Sequence, residues 1–261
     1  MKPKYILISG GSYAPSHKGH LNNWCTGIDE YYKYIKKTDK KIKIEQILLI
    51  VIPVSDNYKK ASVQDVSYKN RVDLLNHLLS HKKKKYNIII GEFHPSVVSS
   101  SQEIAAVQKK YKIKPAILFG ADLFIDILKG KWFNGNESKK WDFLTSTTFV
   151  ISCSPKVADK RGYCKKIETL FDKELKKSNI SIALVLYPIP SDKSEISSTT
   201  IRNKIAKYRQ TGKISILSPF LFKDQISYIL KHRLWVYDHQ KTHKKHKTHK
   251  RKRRKSRSRR K

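Results

Sequence analysis

Acidic residues and cysteines are scarce in this chain of 261 residues, where 21 Asp and Glu stand against 56 Lys and Arg and the formal net charge is +35 at pH 7. The three cysteines, Cys25, Cys153 and Cys164, are odd in number and show no Cys-x-x-Cys spacing. They indicate neither a disulfide framework nor a thiolate zinc site. A reducing, intracellular compartment is therefore expected, cytoplasmic or nuclear. Long apolar runs are also lacking. No stretch approaches the roughly 18 apolar residues of a membrane span, and the run after Met1 is too short for a secretory signal, so the chain is expected to be soluble, with no membrane partner.

What is present suffices for one folded body. A hydrophobic share of 39% and an aromatic share of 10% suit a packed core. The length holds one α/β domain, expected over residues 1–238, and a tail over residues 239–261. From Gln240 to Lys261 there are 14 Lys or Arg and no acid. With no apolar residue from His239 onward, this tail cannot bury surface to offset its ordering entropy and is expected to be disordered. Such a run binds nucleic-acid phosphates without sequence preference, serves as a nuclear import signal, or only solvates the chain, and the composition leaves these three open. The rest of the chain keeps 42 basic against 21 acidic residues, a balance that bears on encounter with polyanions and not on fold. Oligomeric state is likewise left open, homo-oligomers included.

Short apolar runs recur at Tyr5–Ser9, Ile47–Ile52, Ile88–Ile90, Ala116–Phe119, Thr148–Ile151 and Ile182–Tyr187. Runs apolar on every residue suit strands buried on both faces of a parallel sheet. Helical patterns lie between several of them, at Lys18–Ile35, Tyr68–Ser80, Ser100–Tyr111 and Leu123–Leu128. The alternation predicts an α/β fold with a Rossmann-like, doubly wound parallel sheet. Two C-terminal helices are expected to follow, one opened by Ser197–Thr200 and running to about Arg209, the other opened by Pro219 and running to about Leu230.

The chemistry concentrates where the first strand meets the first helix. Gly10 and Gly11 are read as a tight turn that lets backbone approach a phosphate, with Ser12 and Tyr13 following. His17 and His20, three apart, fall on one face of the first helical turn, where orphan backbone N–H groups and the positive dipole end favour an anion. Two histidines beside glycines are most often a polar cap. Here the strand, the glycines, Pro15 and the helix stand in register, and His17-Lys18-Gly19-His20 resembles the H-x-G-H element of the nucleotidylyltransferase superfamily. Far along the chain, Glu195-Ile-Ser-Ser-Thr-Thr-Ile-Arg202 sets Ser197, Ser198 and Thr199 at a helix start and a guanidinium one turn in. A planar guanidinium can bridge two phosphate oxygens, and the segment is similar to the motif that closes the ATP site in the same superfamily.

Pro53-Val-Ser-Asp-Asn-Tyr-Lys-Lys60, Tyr68-Lys-Asn-Arg71, Gly120-Ala-Asp122, Trp132 and the segment from Leu217 to Trp235 resemble the adenylyltransferases of nicotinamide and nicotinic acid mononucleotide. The resemblance implies that Asp122 sits by the ATP ribose beside Gly120, that Trp132 stacks on the pyridine ring, and that Lys60 meets the mononucleotide phosphate. The family's tryptophan-glutamate pair is not found at Glu92-Phe-His-Pro95, which leaves Phe93 or His94 to replace it, and Ala14 stands where asparagine or serine is usual. The implied reaction transfers an adenylyl group from ATP to the mononucleotide phosphate, with His17, His20 and Arg202 as the catalytic groups. No carboxylate cluster is evident in the sequence, so Mg²⁺ is expected to arrive on ATP. Pantetheine-phosphate adenylyltransferases and cytidylyltransferases share the histidine loop and stay as alternatives, as does a nucleic-acid-binding protein with a degenerate catalytic fold.

Overall fold

A computed structural model describes residues 2–57, 65–91, 100–153, 165, 167–169, 172, 182–189 and 196–235. Lys60, Phe93, His94 and the segment 239–261 lie outside these residues. The strands are β1 (Tyr5–Gly11), β2 (Ile47–Pro53), β3 (Asn87–Ile90), β4 (Ala116–Gly120), β5 (Phe149–Cys153) and β6 (Leu184–Pro188). They form one parallel sheet in the order β3-β2-β1-β4-β5-β6. The chain winds outward from β1 to β3 and then returns across β1 to begin β4, so β1 and β4 flank the point where the strand order reverses.

Side chains alternate across this sheet, and each face is closed by its own helices. Leu7, Leu49, Val51 and Leu118 pack with Trp24, Ile28 and Tyr31 of α1 (Lys18–Lys36) and with Leu75 and Leu78 of α2 (Tyr68–Ser80). Ile6, Ile8, Leu48 and Ile50 face the other way, against Val107 of α3 (Ser100–Tyr111). Ile117, Phe119 and Phe149 pack on Phe124 and Ile127 of α4 (Ala121–Leu128), with Leu144 of α5 (Glu137–Ser146). This is the doubly wound, Rossmann-like arrangement expected from the apolar runs.

Three sequence readings change in detail. The glycines after β1 do not turn, because Gly10 and Gly11 stay in the strand, paired with Ile52 and Pro53. The reversal falls two residues later, at Tyr13 with φ of 44° and the cis Ala14–Pro15 peptide. Pro219 does not open the last helix. Residues Ile214–Ile216 form a 3₁₀ turn, and α7 (Lys223–Lys231) begins only where the Gln225 side chain accepts the Phe222 N–H. Cys153 is disulfide-bonded while Cys25 is free, although the cysteine count and spacing indicated no disulfide framework, because pairing depends on proximity in space rather than on spacing in sequence. Among the described residues no helix is long and apolar enough to cross a membrane.

Helices α6 (Ser198–Thr211) and α7 are not an appendage. Ile201, Ile205, Leu217, Ile226 and Ile229 share one buried cluster with Ala14 of the β1–α1 loop and Leu74 of α2. Burial of these apolar side chains clamps the C-terminal helices onto the loop that carries the histidines.

Candidate active site

The loop between β1 and α1 is built around Tyr13. Its ring folds back over Gly11, where an added Cβ would lie 2.9 Å from Tyr13 Cζ. Its hydroxyl donates to the Ser9 carbonyl at 2.8 Å, and the indole N–H of the buried Trp24 donates to Ser9 Oγ at 3.2 Å. Tyr13, Trp24 and His20 meet edge-on or stacked, with the His20 ring 5.2 Å from Tyr13 and 5.9 Å from Trp24. Gly11 is thus required by a close approach of an aromatic ring.

His17 is the N-cap of α1 and His20 lies in its first turn, with the two rings 3.7 Å apart. The backbone N–H of His17 donates to His20 Nδ1 at 3.2 Å. An accepting Nδ1 fixes the neutral imidazole as the tautomer protonated on Nε2. Burial among the rings holds the His20 pKa down to about 4, so the ring is neutral at physiological pH. His20 therefore caps the helix with one nitrogen and is a hydrogen-bond donor with the other. The expected row of orphan N–H groups is reduced at Lys18, whose backbone N–H donates to the Phe220 carbonyl at 3.0 Å.

The second motif lies against the first. Ser197 caps α6 by accepting the Thr200 N–H. Ser198 Oγ donates to the Pro15 carbonyl at 2.9 Å, and Arg202 donates to the Ala14 carbonyl at 2.6 Å and to Thr199 Oγ1 at 2.9 Å. An added Cβ on Gly19 would lie 3.0 Å from His17 Nδ1 and 3.2 Å from Ile196 Cβ, so the glycine is what lets the two motifs close on each other. Half-buried, Arg202 has its pKa lowered by desolvation, with Asp65 acting in the opposite direction. A guanidinium carries five N–H donors, and these two bonds leave the fork able to serve a phosphate.

Across the switch point, Gly120 is the N-cap of α4 and Asp122 lies in its first turn, with Asp122 Oδ1 2.6 Å from where a Gly120 Cβ would be. Trp132 sits in a 3₁₀ turn, exposed, with its ring 6.3 Å from Phe119 of β4. The structure thus brings His17, His20, Ser197, Ser198, Thr199 and Arg202 onto one loop at the carboxyl end of β1. Asp122 and Trp132 follow β4, the next strand, across the crevice where open α/β sheets take ligands. Among the described residues no group of three or more His, Cys, Asp or Glu could hold a metal ion.

Two residues without an assigned role organise these loops. Arg71 is fully buried, donating to the carbonyls of Val54, Val66 and Ser12 and to the Asp56 carboxylate. It joins the loop after β1 to the loop after β2. Gln225, also fully buried, reaches the residue before His17. Both stand on the apolar stripe of a helix, Arg71 in line with Leu74, Leu75 and Leu78, Gln225 beside Ile226 and Ile229. A polar residue on such a stripe is the sequence signal that would have found them.

No family model matches the chain. A protein of Borreliella afzelii (strain PKo) described as a probable nicotinate-nucleotide adenylyltransferase is 26% identical over 232 residues, covering 88% of this chain and 96% of that protein. One of the same description from Pelagibacter ubique (strain HTCC1062) is 26% identical over 205 residues, covering 77% of this chain and 93% of that protein. Among solved structures, Plasmodium falciparum nicotinic acid mononucleotide adenylyltransferase complexed with NaAD superposes with a TM-score of 0.62 at 18% identity, over 90% of this chain and 98% of that one. The fold is therefore shared with that structure, and the two bacterial proteins are similar along nearly their whole length.

Proposed function

We propose that the chain is a nucleotidylyltransferase that transfers the adenylyl group of ATP to nicotinic acid mononucleotide, with nicotinamide mononucleotide as a second acceptor, a reading supported by its likeness to the bacterial proteins and by the shared fold. The observation that carries this reading is the convergence of His20 and Arg202 on the loop of residues 14–17, at the reversal of strand order.

In the proposed reaction a 5′-phosphate oxygen of the mononucleotide attacks the α-phosphorus of ATP. A new P–O bond forms, the bond from the α-phosphorus to the bridging oxygen breaks, and pyrophosphate departs with that electron pair. No covalent enzyme intermediate is required. His20 donates from Nε2–H to a phosphate oxygen, Arg202 bridges two more, and His17 caps the helix start on which His20 is set. These groups stabilise charge that develops in the transition state, and their work is positioning plus electrostatics. Gly10, Gly11, Ser12, Tyr13 and the 197–199 turn would line the ATP, with Gly120 and Asp122 at its ribose. Trp132 would stack on the pyridine ring, and Lys60 and Phe93 complete the mononucleotide site by resemblance alone. The described residues offer no carboxylate cage for Mg²⁺. An ion arriving with ATP would neutralise phosphate charge.

Replacing His20 by Ala should cost on the order of a hundredfold in turnover, the scale of one lost transition-state donor. Circular dichroism should show the fold retained. Unchanged turnover would leave His20 as a helix cap and nothing more. The polybasic segment 239–261, with its 14 basic residues, supports a separate affinity for nucleic-acid phosphates. A chain ending at Asp238 should keep its turnover and lose salt-sensitive retention on single-stranded DNA; equal retention with and without the segment would remove that affinity from it.

A further inference from the structure

Gln225 is a neutral amide with no exposed surface, carried on α7 and remote in sequence from the histidine loop. Its Nε2 donates to the Ser16 carbonyl at 3.2 Å and to the Leu74 carbonyl of α2 at 3.2 Å, with Ser16 Oγ at 3.4 Å. Its Oε1 accepts the Phe222 N–H at 3.2 Å. One side chain thus ties three pieces of backbone together: the residue immediately before His17, the middle of α2 and the start of α7. Ser16 is itself fully buried, so its carbonyl has no water to turn to if the amide is removed.

The neighbouring contacts point the same way. Lys18 Nζ donates to the Ser218 carbonyl at 2.7 Å and lies 4.9 Å above the Phe222 ring, and the Lys18 N–H is held by the Phe220 carbonyl. The first turn of α1 is thereby fastened to the segment 218–225 on both sides of His17. The imidazoles need that fastening, because a donor displaced by about 1 Å can cost a hundredfold in rate.

Resting on the activity proposed above, we infer that Gln225 is a positioning residue for that reaction, one that fixes the backbone of His17 and through it the His20 Nε2–H without touching substrate. Its replacement disturbs the geometry of the histidine pair more than it disturbs folding. The apolar Gln225→Met fills the same volume and deletes every hydrogen bond of the amide, the one accepted from Phe222 included, while Ile229→Val, a buried change on the same helix, loosens packing and leaves the amide in place.

The test compares the full chain with these two variants, using ATP and nicotinic acid mononucleotide at a temperature where all three are folded. Gln225→Met should lose about tenfold or more in kcat with both KM values within about twofold of the parent, and Ile229→Val should keep its kcat within about twofold. An unaltered kcat in Gln225→Met, or an equal loss in both variants, overturns the inference. Should the parent chain adenylylate no mononucleotide, the proposed activity fails. The positioning is then read from the imidazole ¹⁵N resonances of His17 and His20, which Gln225→Met should move and Ile229→Val should not. Resonances unmoved by Gln225→Met overturn it independently of activity.

Discussion

His20 spends one nitrogen on structure and keeps the other as a donor, and its titration reports on how it is held. Folded, it protonates only near pH 4, whereas an imidazole in the unfolded chain protonates near 6.5. As pH falls from 6.5 towards 4, the unfolded chain takes up a proton that the folded one refuses, so stability is lost across that window and the loss levels off below it. Above 6.5 both states are neutral and the residue adds no pH dependence. Between pH 7 and pH 4.5 the parent should lose on the order of 2 to 3 kcal/mol more than His20→Gln, measured as urea midpoints and slopes. Identical losses would mean that the ring is not held neutral by burial. At this scale the sequence singled out His17, His20 and Arg202, because histidines beside glycines and a guanidinium behind a Ser-Ser-Thr cap suit phosphate chemistry, and the fold sets the three against one loop. The sequence reached Arg71 only as the end of a resembling segment, without a role, and did not reach Gln225, because the partners of both are brought near only by the fold.

Elements were legible to the degree that burial dictates them. β1, β2 and β4 pack on both faces, and their unbroken apolar runs announce it. Helix α5 escaped notice because its face is weakly apolar, with Lys140 and Leu144 the buried positions, and its signal is the single cap from Asn136. Pro219 misled because a favoured first-turn residue yields to Leu217 and Leu221, which are buried in the turn that follows the 3₁₀ residues. Helix α1 supplies the prediction at this scale. A Cβ on Gly27 would lie 2.5 Å from Leu118 Cδ1 and 2.9 Å from the Tyr187 hydroxyl, so α1 sits on the sheet at glycine distance. Gly27→Ala should destabilise the protein by about 1 to 3 kcal/mol despite alanine's better helix propensity. Gly19→Ala should act differently, parting His17 from Ile196 and lowering kcat more than the melting temperature. A rise in melting temperature for Gly27→Ala would show that the contact yields freely.

Over the whole molecule the strand order decides where chemistry can occur. The alternation of strands and helices predicts a doubly wound sheet but not which strand stands at its centre. Only the order β3-β2-β1-β4-β5-β6 shows that the loops after β1 and β4 face each other across a crevice. Two motifs far apart in sequence then meet there because α6 and α7 share a core with Ala14 and Leu74. The excess of 56 basic over 21 acidic residues gives the chain a field that attracts polyphosphates, an effect that salt should weaken. The account stands or falls on what the crevice joins. The full chain, given ATP with nicotinic acid mononucleotide, nicotinamide mononucleotide or phosphopantetheine, should form pyrophosphate and a dinucleotide with the pyridine mononucleotides, the nicotinic acid form foremost, by mass spectrometry of the products. Product from phosphopantetheine alone, or from none of the three, would contradict it.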